Sequence, residues 1–167
     1  MGRFCFSYGE HYDPVNLSFG RMLACNEFEL EPGAGFGPHR HAGVDIVTTV
    51  LSGTLTHVTG EEQEVRPTGS YLLPAGPGVE HDERNDTDAP VRFVQAWFLP
   101  GTADPRPVPH VLEAGQTAGV AGSSFVLVTY GQVELEGTAL AVGDSARLDE
   151  SVELTGAGTS QALVWRV

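Results

Sequence analysis

The most informative absence in this 167-residue chain is lysine, because all nine basic residues are arginine, against 22 aspartates and glutamates. A chain without lysine excludes any mechanism that needs a lysine Schiff base, including that of pyridoxal phosphate enzymes. The formal net charge of -13 also argues against a surface that follows a phosphate backbone, since such surfaces need clustered Lys and Arg. We therefore expect no direct binding to nucleic acid.

Long apolar runs and cysteines are scarce as well. No segment stays apolar over the roughly 20 residues that a membrane-spanning helix needs, and the amino-terminal residues lack the apolar stretch of a signal peptide. We therefore expect no membrane association and a cytoplasmic location. The two cysteines, Cys5 and Cys25, are interpreted as reduced thiols without a catalytic role.

Glycine and proline, in contrast, are abundant, with 21 and 11 residues. No window keeps a helical period over four turns, whereas Val/Thr/Leu/Phe runs bounded by Gly and Pro recur along the chain. This pattern predicts an all-β protein of many short strands. Residues 44–51 and 54–58, joined at Ser52-Gly53, are interpreted as a hairpin, and residues 91–99 form the most strand-like run.

The domain organisation follows from a proline-rich segment. Residues 101–109 contain three prolines and cannot supply a central strand. We therefore predict a linker at 101–110, between a first unit at 1–100 and a second unit at 111–167 that packs on the first. His110 is the only histidine after residue 100, so any metal site is expected in the first unit.

A weak internal repeat relates the two units. Glycines follow strand-like runs at similar offsets, 78 from Gly53 to Gly131 and 74 from Gly69 to Gly143. Duplicated small sheets of this kind fit a double-stranded β-helix, a jelly-roll barrel made of two facing sheets.

Two short histidine motifs follow glycine-rich turns: HRH at 39–41 and HDE at 81–83. In an extended strand, residues two apart point to the same face, so each motif directs two side chains the same way. Two such pairs on facing strands would close around one ion. The spacing therefore predicts a single metal site.

These motifs and their surroundings resemble the cupin superfamily. The residues at the spacings of the two cupin motifs are Gly33, His39, His41 and Gly53 for the first, and Gly69, Pro74, Gly76, His81 and Asn85 for the second. The segments PGAGFGPHRH, VLSGTLTH, AGPGVEHDE and VQAWFLP bring the resemblance closer to the pirin family and its bacterial quercetinase-like branch. The resemblance covers residues 10–100 well and the remainder loosely. It implies a cupin barrel with two cupin-like units, the second short and without metal ligands.

The resemblance further implies that His39, His41, His81 and Glu83 bind one divalent transition metal per chain. Fe(II) is the first expectation, with Mn, Co, Ni and Zn as alternatives; zinc fits less well because a filled tetrahedral site would be closed. Glu83 is also the expected catalytic residue, which takes the proton of an enol or phenol hydroxyl before O2 attacks the ring. Whether Glu83 acts as ligand, base or both stays open.

Three functions remain at this point. The first is a quercetinase-like, metal-dependent dioxygenase that acts with O2 on a polyhydroxylated aromatic or enolisable small molecule. The second is a non-catalytic, metal- or redox-responsive regulator that binds a protein partner, and the third is an isomerase or cyclase that uses the same site. A homodimer is one assembly that the resemblance implies.

Four further residues have two interpretations each. Phe36, Tyr71 and Trp97 are either walls of a substrate pocket or core residues. His57 is either an ordinary hydrogen-bonded histidine or a partner that fixes the tautomer of a metal ligand.

Overall fold

The computed structural model describes residues 2–7, 10 and 12–167, and every regular element among them is a β-strand. The all-β prediction is therefore confirmed. In the part of the chain so described, no helix is long and apolar enough to cross a membrane. The chain divides into two compact units, Met1–Asp104 and Pro105–Val167.

The described residues of the first unit form nine strands in two antiparallel sheets. Its strands are β1 (Gly2–Phe4), β2 (Met22–Leu30), β3 (His39–His41), β4 (Asp45–Ser52), β5 (Leu55–Thr59), β6 (Glu62–Arg66), β7 (Gly69–Pro74), β8 (Val79–Arg84) and β9 (Val91–Phe98). One sheet has the order β1-β2-β9-β4-β7 and the other the order β3-β8-β5-β6. Strand β9 confirms the strand predicted at 91–99, and it lies in the middle of its sheet.

A hydrophobic cluster joins these two sheets. Leu30, Val50, Val91 and Phe93 come from the five-stranded sheet, and the fully buried Leu55 comes from β5 in the other sheet. The core of the first unit therefore lies between its sheets, as in a jelly-roll barrel.

Strands β4 and β5 follow each other in the chain but do not pair, so the predicted hairpin is wrong. Strand β4 pairs with β7 and β9, whereas β5 pairs with β6 and β8. Gly53 lies at the crossover between the sheets with a φ of 74°, and a Cβ there would stand 2.7 Å from the carbonyl oxygen of Pro90. A Ser-Gly pair indicates a turn, but it does not specify whether the next strand returns to the same sheet.

The second unit repeats this architecture with eight strands. They are β10 (Val108–Leu112), β11 (Thr117–Val120), β12 (Ser124–Tyr130), β13 (Gln132–Leu135), β14 (Thr138–Ala141), β15 (Ser145–Leu148), β16 (Val152–Gly156) and β17 (Ser160–Arg166). Its sheets have the orders β10-β17-β12-β15 and β11-β16-β13-β14. Strands β10 to β17 are arranged in the same order as β2 to β9 of the first unit. Both units are therefore cupin barrels. The first unit has one additional edge strand, β1.

Strand β10 begins at Val108, inside the segment predicted as a linker at 101–110. It is an edge strand of its sheet. Pro109 is tolerated there because an edge strand can leave one side of its backbone without a donor.

Candidate metal site

Three histidines from two neighbouring strands come together in the first unit. Strand β3 pairs with β8 so that His39 stands opposite His81. His41 is two residues beyond His39 and shares its face of the strand. One ring nitrogen of each histidine lies within 4.8 Å of the others, which is the arrangement that a shared ion needs.

Glu83, two residues beyond His81 on β8, lies beside two of these rings. Its Oε2 is 3.6 Å from Nε2 of His39, and its Oε1 is 3.4 Å from Nδ1 of His81. The side chain is completely buried. Burial raises the pKa of Glu83 to about 7, against the opposing effects of His39 and of a hydrogen bond from Gln95. The compact group of three ligand nitrogens thus has a carboxylate next to it.

Hydrogen bonds determine which ring nitrogens are free. The carbonyl oxygen of Gly37 only accepts, so Nδ1 of His39, at 2.8 Å, donates to it and Nε2 keeps its lone pair. On the other strand, Nδ1 of His81 lies 2.9 Å from Nε2 of His57. Burial lowers the pKa of His81 to about 3 and that of His57 to about 4. Both rings are therefore neutral near pH 7.

Two buried atoms at this site have no hydrogen-bond partner among the described residues: Nε2 of His81 and Oε2 of Glu83. An unsatisfied buried polar atom costs roughly 1–3 kcal/mol. Ligand atoms bind zinc-like ions at roughly 2.0–2.2 Å, so two ligands of one ion lie about 3–4 Å apart. The 3.6 Å between His39 and Glu83 satisfies this spacing, and the nitrogen and oxygen donors fit a divalent transition metal.

A cavity of about 210 Å³ adjoins the histidines. Its lining residues are Phe28, Phe36, His39, His41, Gln95 and Trp97. The ring of Trp97 lies edge-on to His41 with centroids 4.7 Å apart, and Phe36 lies 6.2 Å from His39 in the same manner. Phe36 and Trp97 therefore line a pocket, whereas Tyr71 packs against the hydrophobic cluster instead.

Gln95 is a site residue that the sequence reasoning missed. Its Nε2 donates a 2.6 Å hydrogen bond to Oε1 of Glu83 and a longer one, 3.4 Å, to Oγ1 of Thr48. Gln95 is the uncharged polar residue inside the run VRFVQAWFL, and this was the available signal, because a buried polar side chain in a central strand needs a partner. Phe28 was also missed, since its apolar character does not separate a pocket wall from a core residue.

The second unit has apolar residues at the corresponding positions. Gly53 and Gly131 occupy equivalent turns, and the strand registers then match His39, His57, His81 and Glu83 with Val120, Leu135, Val152 and Leu154. These four residues belong to the hydrophobic core of the second unit or pack against it. The second barrel is thus filled with apolar side chains at these four positions.

Comparison with known sequences identifies similar proteins. A sequence model of the Pirin family matches residues 2–98. A Mycobacterium tuberculosis protein named provisionally as a quercetin 2,3-dioxygenase is 43% identical over 101 residues, which are 59% of this chain and 41% of that protein. The quercetin 2,3-dioxygenase of Escherichia coli K12 is 34% identical over 99 residues, which are 57% of this chain and 42% of that protein. The matches therefore span less than half of the length of these curated relatives.

Solved structures share the fold at lower sequence identity. The crystal structure of the bacterial pirin YhhW of Escherichia coli, in complex with nickel(II), matches with a TM-score of 0.88 and 21% identity, over 99% of this chain and 90% of that one. A quercetin 2,3-dioxygenase from Acinetobacter baumannii matches with a TM-score of 0.72 and 15% identity, over 98% of this chain and 76% of that one.

Proposed function

Because this chain belongs to the pirin family, we propose that it is a quercetinase-like, metal-dependent dioxygenase that acts with O2 on a polyhydroxylated aromatic or enolisable small molecule. The observation that carries the proposal is the pair of buried, unpartnered atoms, Nε2 of His81 and Oε2 of Glu83, beside a cavity with aromatic walls. The names of the curated relatives support the same activity.

In this proposal His39, His41, His81 and Glu83 hold one divalent transition metal per chain. Fe(II) is the first expectation, with Mn, Co, Ni and Zn as alternatives, and the nickel(II) complex of YhhW supports a metal of this class. The bound ion would supply Lewis-acid polarisation of a substrate oxygen and a template for the two reactants.

Glu83 is proposed as the base of the reaction. Gln95 holds its Oε1, so Oε2 would serve both roles in turn: it binds the ion and, when released from it, accepts the proton of an enol or phenol hydroxyl. A carboxylate with one free oxygen beside the cavity can take this proton and return it later in the reaction. The side chains of Phe28, Phe36 and Trp97 would orient a planar ring in the cavity and keep water away from it.

The partners in this proposal are the small-molecule substrate and O2. The net charge of -13 still predicts that nucleic acid does not bind directly. The homodimer and the cytoplasmic location stay predictions.

The first test is the metal content per chain, measured by elemental analysis on protein purified without chelator. We expect near-stoichiometric metal in the wild type and none in the His39→Ala/His81→Ala double variant. The matched control is His110→Ala, which removes a strand histidine of the second unit and should retain the metal. Little metal in the wild type, even after anaerobic loading, would reject the oxygenase.

Oxygen uptake by the metal-loaded protein then distinguishes the functions. Uptake with flavonols, catechols or related enols would support the dioxygenase. Conversion of the same compounds without O2 would indicate an isomerase or cyclase. Binding of a protein partner that changes with the oxidation state of the metal, without turnover, would indicate the regulator.

A further inference from the structure

His81 lies between two overlapping groups of donor atoms. The first group combines His81 with His39 and His41, and the second combines it with His57 and Glu83. Both His57 and His81 are only 2% exposed. They are brought together because β5 pairs with β8 in the four-stranded sheet, with Thr59 opposite His81 and His57 opposite Glu83.

The two groups differ in how many of their atoms are already satisfied. In the second group, Nδ1 of His81 is within hydrogen-bond distance of His57, and Oε1 of Glu83 accepts from Gln95. The unpartnered atoms, Nε2 of His81 and Oε2 of Glu83, are the other nitrogen and oxygen of the same two side chains, and Oε2 is the oxygen that faces His39. The free oxygen of Glu83 therefore lies on the side of His39, and the free nitrogen of His81 is the one that does not bond to His57.

The direction of the bond between His57 and His81 decides whether His81 can bind a metal. A neutral imidazole carries one N–H, so one ring donates and the other accepts. If His57 donates, His81 carries its hydrogen on Nε2, where it has no acceptor among the described residues and blocks the lone pair. If His81 donates from Nδ1, its Nε2 lone pair is free for an ion.

We propose that His57 is a positioning residue that accepts the Nδ1–H of His81 and thereby fixes the tautomer in which Nε2 of His81 binds the metal. The inference rests on the metal site of the proposed function, but not on its chemistry with O2. Residues that hydrogen-bond to a metal ligand without binding the metal typically contribute about 10- to 100-fold to metal affinity. His39 is fixed in a similar way, since its Nδ1 donates to the carbonyl oxygen of Gly37 and its Nε2 stays free for an ion.

Two substitutions separate an acceptor from a ligand. His57→Gln keeps an oxygen that can accept the Nδ1–H, whereas His57→Leu has similar bulk without an acceptor. Using Ni(II) alone as the probe and competition with a chelator, we expect about 10- to 100-fold weaker binding for His57→Leu and near wild-type binding for His57→Gln. His57 also lines a second cavity, of about 220 Å³, which gives the glutamine side chain room to adjust. Thermal melts establish that both variants fold.

A second measurement requires no variant and no metal. Nitrogen-15 NMR of the histidine rings in the metal-free wild type should find that His81 is protonated at Nδ1 and unprotonated at Nε2. Protonation at Nε2 would overturn the proposal, as would wild-type Ni(II) affinity in His57→Leu. Loss of Ni(II) in both His57 variants, with retention in His39→Ala, would mean that His57 is itself a ligand and would also overturn it.

These outcomes are distinct from failure of the proposed function. Tight Ni(II) binding with the expected variant pattern, but no O2 uptake by the metal-loaded protein, would reject the dioxygenase and leave the role of His57 in place. If the wild type bound no metal, the tautomer seen by NMR would still decide which ring donates.

Discussion

The side-chain amide of Gln95 donates a 2.6 Å hydrogen bond to Oε1 of Glu83, and this bond connects β9 in one sheet with β8 in the other. Both side chains are buried. The bond favours the ionised carboxylate and so opposes the effect of burial on its pKa. It also selects Oε2 as the oxygen that is free towards His39.

We predict that Gln95→Leu weakens Ni(II) binding by about 10- to 100-fold, because the carboxylate loses the donor that orients it and favours its charge. Chelator competition measures the affinity. Gln132→Leu, on an exposed position of the second unit, is the matched control and should bind as the wild type does. Equal affinities for the Gln95 variant and the wild type would contradict the orienting role.

Glu83 makes the free energy of unfolding of the metal-free protein depend on pH. Its pKa is about 7 in the folded state against the ordinary 4.5, so the folded state binds the additional proton and stability falls as pH rises from 4.5 through 7. Each pKa unit corresponds to about 1.4 kcal/mol, so the loss approaches about 3 kcal/mol. We expect metal-free Glu83→Gln to be more stable than the wild type at pH 8, with a difference that shrinks towards pH 5. Urea melts at both pH values measure it, and a difference independent of pH would refute the assignment.

Asn85 joins the end of β2 to the loop after β8. It is completely buried, and its Nδ2 donates to the carbonyl oxygens of Leu30 and Ala89 while its Oδ1 accepts from Thr87. Asn85→Ala would leave these groups without their partner, at a cost of about 2–4 kcal/mol in the free energy of unfolding. Thr87→Ala keeps the asparagine and should cost about 1 kcal/mol or less. Denaturant unfolding of the two variants is the test, and a larger loss for Thr87→Ala would exclude this role.

Gly53, at the crossover, can be compared with Gly60, whose backbone also lies in the left-handed region. Gly53→Ala would place its Cβ 2.7 Å from the carbonyl oxygen of Pro90, whereas Gly60, with a φ of 60°, has no atom within 4 Å of an added Cβ. The left-handed backbone costs each alanine about 1–2 kcal/mol, and only Gly53→Ala adds a clash. We expect Gly53→Ala to unfold at a clearly lower denaturant concentration than Gly60→Ala. Coincident unfolding curves would argue against the close approach at Gly53.

Local pattern predicts the strands better than their pairing. The strand predicted at 91–99 differs from β9 by one residue, because apolar periodicity and glycine boundaries act within a few residues. The pairing of β4 with β9 instead of β5 depends on contacts with a strand some forty residues further along. A local motif such as Ser52-Gly53 does not contain that information.

The same distinction applies to the site. The HRH and HDE motifs determine which side chains share a face, so the closeness of His39 and His81 could be predicted from spacing and from the family resemblance. Gln95 and His57 reach the site through contacts across 12 and 24 residues of sequence. Which polar residue stands opposite a ligand depends on the register of whole strands, and so Gln95 was missed and His57 kept two interpretations.

The two units share their strand order but differ in the side chains at the site positions. The second barrel has valine or leucine at the positions where the first has His39, His57, His81 and Glu83, so this backbone does not require an ion to form. The donor groups are additions to a scaffold that is complete without them. The first unit should therefore stay folded when metal is removed and added again, and the chain combines one barrel that has donor side chains with a second that has apolar side chains at the matching positions.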